Sequence, residues 1–195
     1  MRTKRILGAM LALSLAIACA PAAWAQGVQP QGPSPWSYPP DLQAPTDAEY
    51  QGVRERFEEG MRQRAAHNWS AAAPLFRENL AVYWRTYGPE HPVTGMAMFV
   101  LGGTLDAQEQ YPEAETLMAD SIRIAQTWLP EGNAWYGIAY GILGRCQGAN
   151  GKRALAEVSF RRAIEISHAA GDASSERTAR LGLEEMTRFY QQSGQ

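Results

Sequence analysis

The chain repeats itself at a fixed interval. Gly60, Gly102 and Gly144 are spaced by 42, and Ala72, Ala114 and Ala156 share that spacing. Large apolar residues keep the register at Phe76, Met118 and Phe160, then at Leu80, Ile122 and Ile164, and again at Val82, Ile124 and Ile166. Trp69 and Tyr111 correspond too, with Arg153 departing in the third copy. A constant period of this length marks stacked supersecondary units, each unable to bury its apolar face alone.

The columns carry their own physics. From Asp47 onward the signals are helical, and no stretch reads convincingly as a strand. Apolar residues three or four apart, such as Phe76, Leu80 and Tyr83, form one buried stripe of a helix. A small residue at Ala72, Ala114 and Ala156 lets two antiparallel helices approach, and the bulky residue one turn later fills the space between them. The glycine column serves the same approach on the first helix of each pair. Each unit is therefore expected to be a helix–turn–helix hairpin covered by the next.

The stretch "YGPEHPVTGMAM", Tyr87 to Met98, interrupts the helical pattern with two prolines, a glycine and a histidine between Gly88 and Pro92. Gly88 can adopt the left-handed conformation that ends a helix, Pro89 prevents continuation, and Pro92 can open the next helix. His91 is then expected to be a loop residue, and the stretch a boundary between units.

The N-terminal stretch, Met1 to Ala25, stands apart. Arg2, Lys4 and Arg5 precede the apolar run Ile6–Ala18, which is too short to span a bilayer and suits a secretory signal. Ala23 and Ala25 flank Trp24 as the small residues of a cleavage site, so cleavage is expected between Ala25 and Gln26, with export to the periplasm. The alternative is a lipid anchor: "AIAC" resembles a weak lipobox that would acylate Cys19. Gln26 to Pro45 then holds six of the twelve prolines, with Trp36 and Tyr38 among them. This leader (residues 26–46) reads as an extended spacer. "PTDAEY" starts the folded part, with Thr46 or Asp47 as N-cap and Glu49 in the first turn.

Removing the signal leaves 15 basic against 20 acidic residues, a net charge of −5. An acidic exported chain is a poor partner for nucleic acid or anionic lipid. Cys146 would remain alone, and its apolar, glycine-rich neighbours suggest an inert buried thiol. His67, His91 and His168 fall in separate places, with no i, i+4 pair and no metal-ligand cluster around them. "GANGK", Gly148 to Lys152, lacks the preceding strand and the following Ser or Thr of a phosphate loop. Glu58–Glu59 and Glu184–Glu185 are adjacent carboxylates on amphipathic helices, which points to solvated faces. The apolar stretch Ala134–Gly144 is too short for a membrane span, so no transmembrane helix is expected in the mature chain. No cofactor, metal or catalytic constellation is indicated, and a small hydrolase using His91 or Cys146 is the weaker alternative.

The pattern resembles the tetratricopeptide repeat, in its longer kinesin-light-chain-like variety. Met96 to Ile124 carries the motif best, with Leu101–Gly102, Tyr111, Ala114 and Met118, and "GPEHP" resembles the loop common between such repeats. Several positions depart: Glu59 stands where leucine is expected, Pro74 sits early in a second helix, where its missing donor should cost little, and Gln147 replaces an apolar residue. The final pair, Leu181–Gly182, follows at a spacing of 38 rather than 42. The resemblance implies an all-α solenoid of three hairpins, at about residues 47–92, 93–132 and 133–172, plus a capping helix at 173–192.

The resemblance also implies a concave groove lined by the first helices. Carried over position by position, it consists of Arg54, Phe57, Met61 and Arg64 in the first repeat, then Met96, Phe99, Gly103 and Asp106, then Ile138, Gly141, Arg145 and Gly148. Glu176, Ala179, Leu183 and Met186 would follow from the capping helix. Such a surface, apolar with three arginines, suits an extended or helical peptide with apolar anchors and an acidic group. The lysine–asparagine clamp of chaperone-type repeats is absent. The expected function is a non-catalytic adapter or scaffold of the bacterial envelope with a protein or peptide partner. A homo-oligomer stacked through Trp128 or Trp135 is left open.

Overall fold

The computed structural model describes residues 46–193. The signal, its cleavage site, Cys19 and the proline-rich leader lie outside the described residues. Among the described residues seven helices follow one another: α1 (Asp47–Ala65), α2 (Trp69–Tyr87), α3 (Pro92–Asp106), α4 (Tyr111–Ala125), α5 (Trp135–Ala149), α6 (Arg153–Ala169) and α7 (Ala173–Ser193). Among the described residues there is no strand. The architecture is the expected one, three antiparallel hairpins and a last helix that packs on both α6 and α5.

The start of α1 resolves the choice of cap. Glu49 donates its backbone N–H to Thr46 Oγ1 at 3.2 Å, and Thr46 N–H donates to Glu49 Oε2 at 2.9 Å. This reciprocal box satisfies two orphan donors of the first turn. The Thr46 N–H, with its hydroxyl and Arg85, holds the Glu49 carboxyl below its ordinary value.

The glycine and bulky columns meet as expected. A methyl group on Gly60 would lie 2.7 Å from the Phe76 ring, one on Gly102 3.2 Å from Met118 Cε, and one on Gly144 3.0 Å from the Phe160 ring. Gly182 of α7 faces that same Phe160 ring at 2.7 Å, so one phenyl group is gripped by glycines of two helices. Ala72, Ala114 and Ala156 are fully buried. Each buried aromatic or long aliphatic side chain contributes about 1.5–3 kcal/mol, and the column repeats that contribution once per hairpin.

The period extends to backbone geometry that composition did not reveal. His67, Glu109 and Gly151, again 42 apart, are the positive-φ residues of the three hairpin turns, at 56°, 61° and 78°. After each, the next amide returns to a carbonyl five residues back: Asn68 to Gln63, Gln110 to Leu105 and Lys152 to Gln147, at 2.8–2.9 Å. These are left-handed helix terminations with the bond pattern that relieves orphan carbonyls. Gly171 (φ 71°), with Asp172 N–H donating to Ser167 O at 2.9 Å, uses the same device between α6 and α7.

A polar column was also missed. Asn79 Nδ2 donates to Val53 O at 2.9 Å, and Ser121 Oγ donates to Gly95 O at 2.7 Å. Donor and acceptor both advance by one full repeat, so one interhelical bond is built twice. Ala163 occupies the third donor position and cannot make it. Buried polar residues inside an apolar stripe at the repeat period were the signal available.

Three expectations are refined. Gly88 has φ 82° and ψ 167°, which is glycine-only extended backbone rather than a left-handed helical turn. His91 is not a free loop residue: it is the N-cap of α3, with Nδ1 accepting from Val93 N–H at 3.2 Å and the ring stacked on Tyr87 at 4.7 Å. Pro74 is the sixth residue of α2, past the free first turn, so it forgoes a real bond to Ser70 O. Both residues are exposed, which leaves that carbonyl to water. Gln147, another departure from the family pattern, accepts from Ser159 Oγ at 2.7 Å and is satisfied in the core.

Candidate functional site

The first helices of the hairpins are brought together in a row. Phe57 and Met61 of α1 pack on a cluster containing Leu101 and Leu105 of α3 and Cys146 of α5. Phe99 of α3 joins this cluster to a second one around Trp135, Tyr136 and Met118. Leu183 of α7 packs with Met186 and Tyr140 around Phe160. The strip Phe57, Met61, Phe99, Leu183 therefore runs across the row, with each side chain half-buried and one edge open. Ile138 is half-buried in α5.

The remaining candidates divide by burial. Met96 is buried in the second cluster and contributes packing. Phe57 meets Phe76 edge to face, with centroids 5.9 Å apart, and Phe99 lies 5.1 Å from Trp135. Trp135 is 1% exposed, which removes it as a contact between stacked copies. Among the groove glycines, a methyl group on Gly103 would meet only Ile142 at 3.7 Å and one on Gly141 only Ala163 at 4.0 Å. Both are ordinary van der Waals contacts: Gly103 faces α5, and Gly141 faces α6 within its own hairpin.

The arginines are not free charges. Arg54, on the solvent side of α1, donates Nε to Glu58 Oε1 at 3.0 Å. Arg64 is half-buried near the end of α1. Arg145 grips Asp106 with both edges of its fork: Nε donates to Oδ1 at 2.8 Å and Nη2 donates to Oδ2. The Asp106 side chain is 2% exposed and that of Arg145 54%. Cys146 Sγ donates to the same Oδ1 at 3.6 Å. The carboxylate is thus an internal counter-ion that fixes a half-exposed guanidinium. The expected acidic-ligand site is electrostatically quieter than three arginines suggest.

The candidates for chemistry stay apart. Burial, followed by the Asp106 charge, pushes the Cys146 thiol well above its ordinary pKa, so it holds its proton. His67 lies in the first turn against Trp69, His91 caps α3, and His168 pairs with Glu176 at 3.1 Å. Among the described residues no group of three or more His, Cys, Asp or Glu side chains gathers as a metal site. Lys152 of "GANGK" donates to Glu115 at 2.8 Å, and Asn150 donates to the same carboxylate at 2.6 Å. Glu58 and Glu59 pair with Arg54 and Arg62. No described helix is long and apolar enough to cross a membrane.

The geometry defines a class: helical hairpins stacked by repetition, with an apolar surface along the row of first helices. Residues 61–127, from the last turns of α1 to just past α4, match the family model described as tetratricopeptide repeat. Over those residues the chain is built of tetratricopeptide repeats, and such repeats generally mediate protein–protein interaction. No curated protein matches the sequence.

Proposed function

We propose that the protein is a non-catalytic adapter or scaffold of the bacterial cell envelope, holding a protein or peptide along the row of first helices. The observation that carries this reading is the strip Phe57, Met61, Phe99, Ile138, Leu183, half-buried side chains that each keep an accessible edge. Core packing alone does not need an apolar edge left open along four helices, whereas a ligand's apolar anchors do. Arg145, fixed by Asp106, offers a pre-oriented donor to a carbonyl or carboxylate at the strip's edge. The envelope setting rests on the N-terminal sequence, with a lipid anchor at Cys19 as the alternative mode of retention there.

The test is affinity capture from an envelope fraction with three proteins: the parent, a groove variant (Arg54→Ala, Ile138→Asp) and an outer-face control (Leu155→Asp, Val158→Asp). Each must keep the parent's helical circular dichroism. A partner lost by the groove variant and kept by the control is the expected result. Loss on the control alone would move the site to α6 and discard the groove.

A further inference from the structure

We infer that the proline-rich segment Gln26–Pro45 is a ligand of the groove in its own chain and competes there with the partner; this rests on the groove being a peptide site. The inference joins three observations. The first is chemical match. From Gln26 to Pro45 only Asp41 is charged, six positions are proline, and Trp36 and Tyr38 stand at the centre. The groove carries few charges: α3 contributes one, Asp106, which pairs with Arg145, and Arg54 pairs with Glu58, with Arg64 at the end of α1. Its open edges are aromatic and aliphatic, the surface on which proline-rich segments dock at low entropic cost.

The second observation is reach. Trp36 stands ten residues before Thr46, where the described chain begins. Ten residues of chain can span at most about 33–36 Å, so Trp36 is tethered within that distance of Thr46. Phe57 lies about 15 Å along α1 at 1.5 Å per residue. Phe99 and Ile138 stand on the next two first helices of the row. Both aromatic residues are tethered within reach of Phe57, at the near end of the strip. The third is tethering: a short linker sets an effective concentration near ~1 mM, so a site with Kd of about 0.1 mM for the free segment is about nine-tenths filled.

The proposal is tested with a labelled synthetic peptide, Gln26–Pro45, titrated against the chain from Gln26 and against its Trp36→Ala, Tyr38→Ala variant. Self-occupancy weakens the apparent affinity of the parent, so the variant should bind the peptide about tenfold more tightly. Adding Ile138→Asp to the variant should abolish the gain. Equal affinities, no binding to the variant, or a gain that survives Ile138→Asp would each overturn the inference. A gain that grows with protein concentration would overturn it as well, by showing that the segment acts between copies. Partner capture is read separately: if capture ignores the groove variant while the titration behaves as expected, the adapter reading falls and the self-ligand stands.

Discussion

Replacing Arg145 with Met isolates the contact that ties α5 to α3 at the groove. The substitution keeps the aliphatic stem and removes the forked donor. Asp106, 2% exposed, would then retain only the Cys146 thiol at 3.6 Å among the partners described above. Removing one partner of a buried pair costs about 3–5 kcal/mol, and the half-exposed guanidinium screens part of the attraction, so about 3 kcal/mol is expected. For a domain of this size each kcal/mol moves Tm by about 2–4 °C, giving a drop of about 6–12 °C. Asp106→Asn should cost only about 1–1.5 kcal/mol, because the exposed arginine it orphans can turn to water. Urea unfolding followed by circular dichroism gives both losses, and the double variant gives a coupling of about 1–3 kcal/mol. The asymmetry is the diagnostic quantity. Losses of equal size, or a larger one for Asp106→Asn, would refute the assignment of Asp106 as the buried counter-ion. Arg145→Glu would set two carboxylates together, so it is unsuited to testing the groove.

Further outcomes follow from the repeat geometry. Glu109→Gly should stabilise the protein by about 0.5–1 kcal/mol, since φ 61° strains a side chain where Gly151 of the third turn has none; destabilisation in urea unfolding would contradict this. Gly182→Ala should cost about 1–3 kcal/mol, because the methyl group meets the Phe160 ring at 2.7 Å, whereas Gly132→Ala, with nothing within 4 Å, should be neutral or slightly stabilising. Cys146 should resist iodoacetamide in the native protein at neutral pH and react only as fast as the chain unfolds. Its pKa is raised on folding, so its contribution to stability is complete below the unfolded thiol value of about 8.5 and is lost as pH rises beyond it. Labelling at the rate of a free thiol would contradict its burial.

The architecture was legible because a repeat states the same constraint several times. Gly60, Gly102 and Gly144 against Phe76, Met118 and Phe160 could be paired from spacing alone, since close approach needs a small residue facing a large one. The turns were harder. His67 and Glu109 adopt positive φ without being glycine, and residue type does not advertise that. Asn79 and Ser121 were overlooked as a column because Ala163 breaks it. At the groove, helical position indicated that Phe57, Phe99 and Ile138 would lie on the first helices, but not how much edge each would show. Least legible was the pairing of Asp106 with Arg145, distant in sequence and on different helices, for pairing depends on which side chain is buried beside which. His91 carried a proline-flanked signature of a loop, while its ring plays the part of an N-cap.

The central claim is that the partner lies along the first helices. It is tested most directly by placing a photo-crosslinking amino acid at Ile138 in one protein and at Val158, on the exposed face of α6, in another. Each is irradiated in the native envelope fraction. A protein partner crosslinked from position 138 and absent from position 158 is the predicted result. Crosslinks from position 158 alone would contradict the account and make the outer face of the last hairpin the working surface.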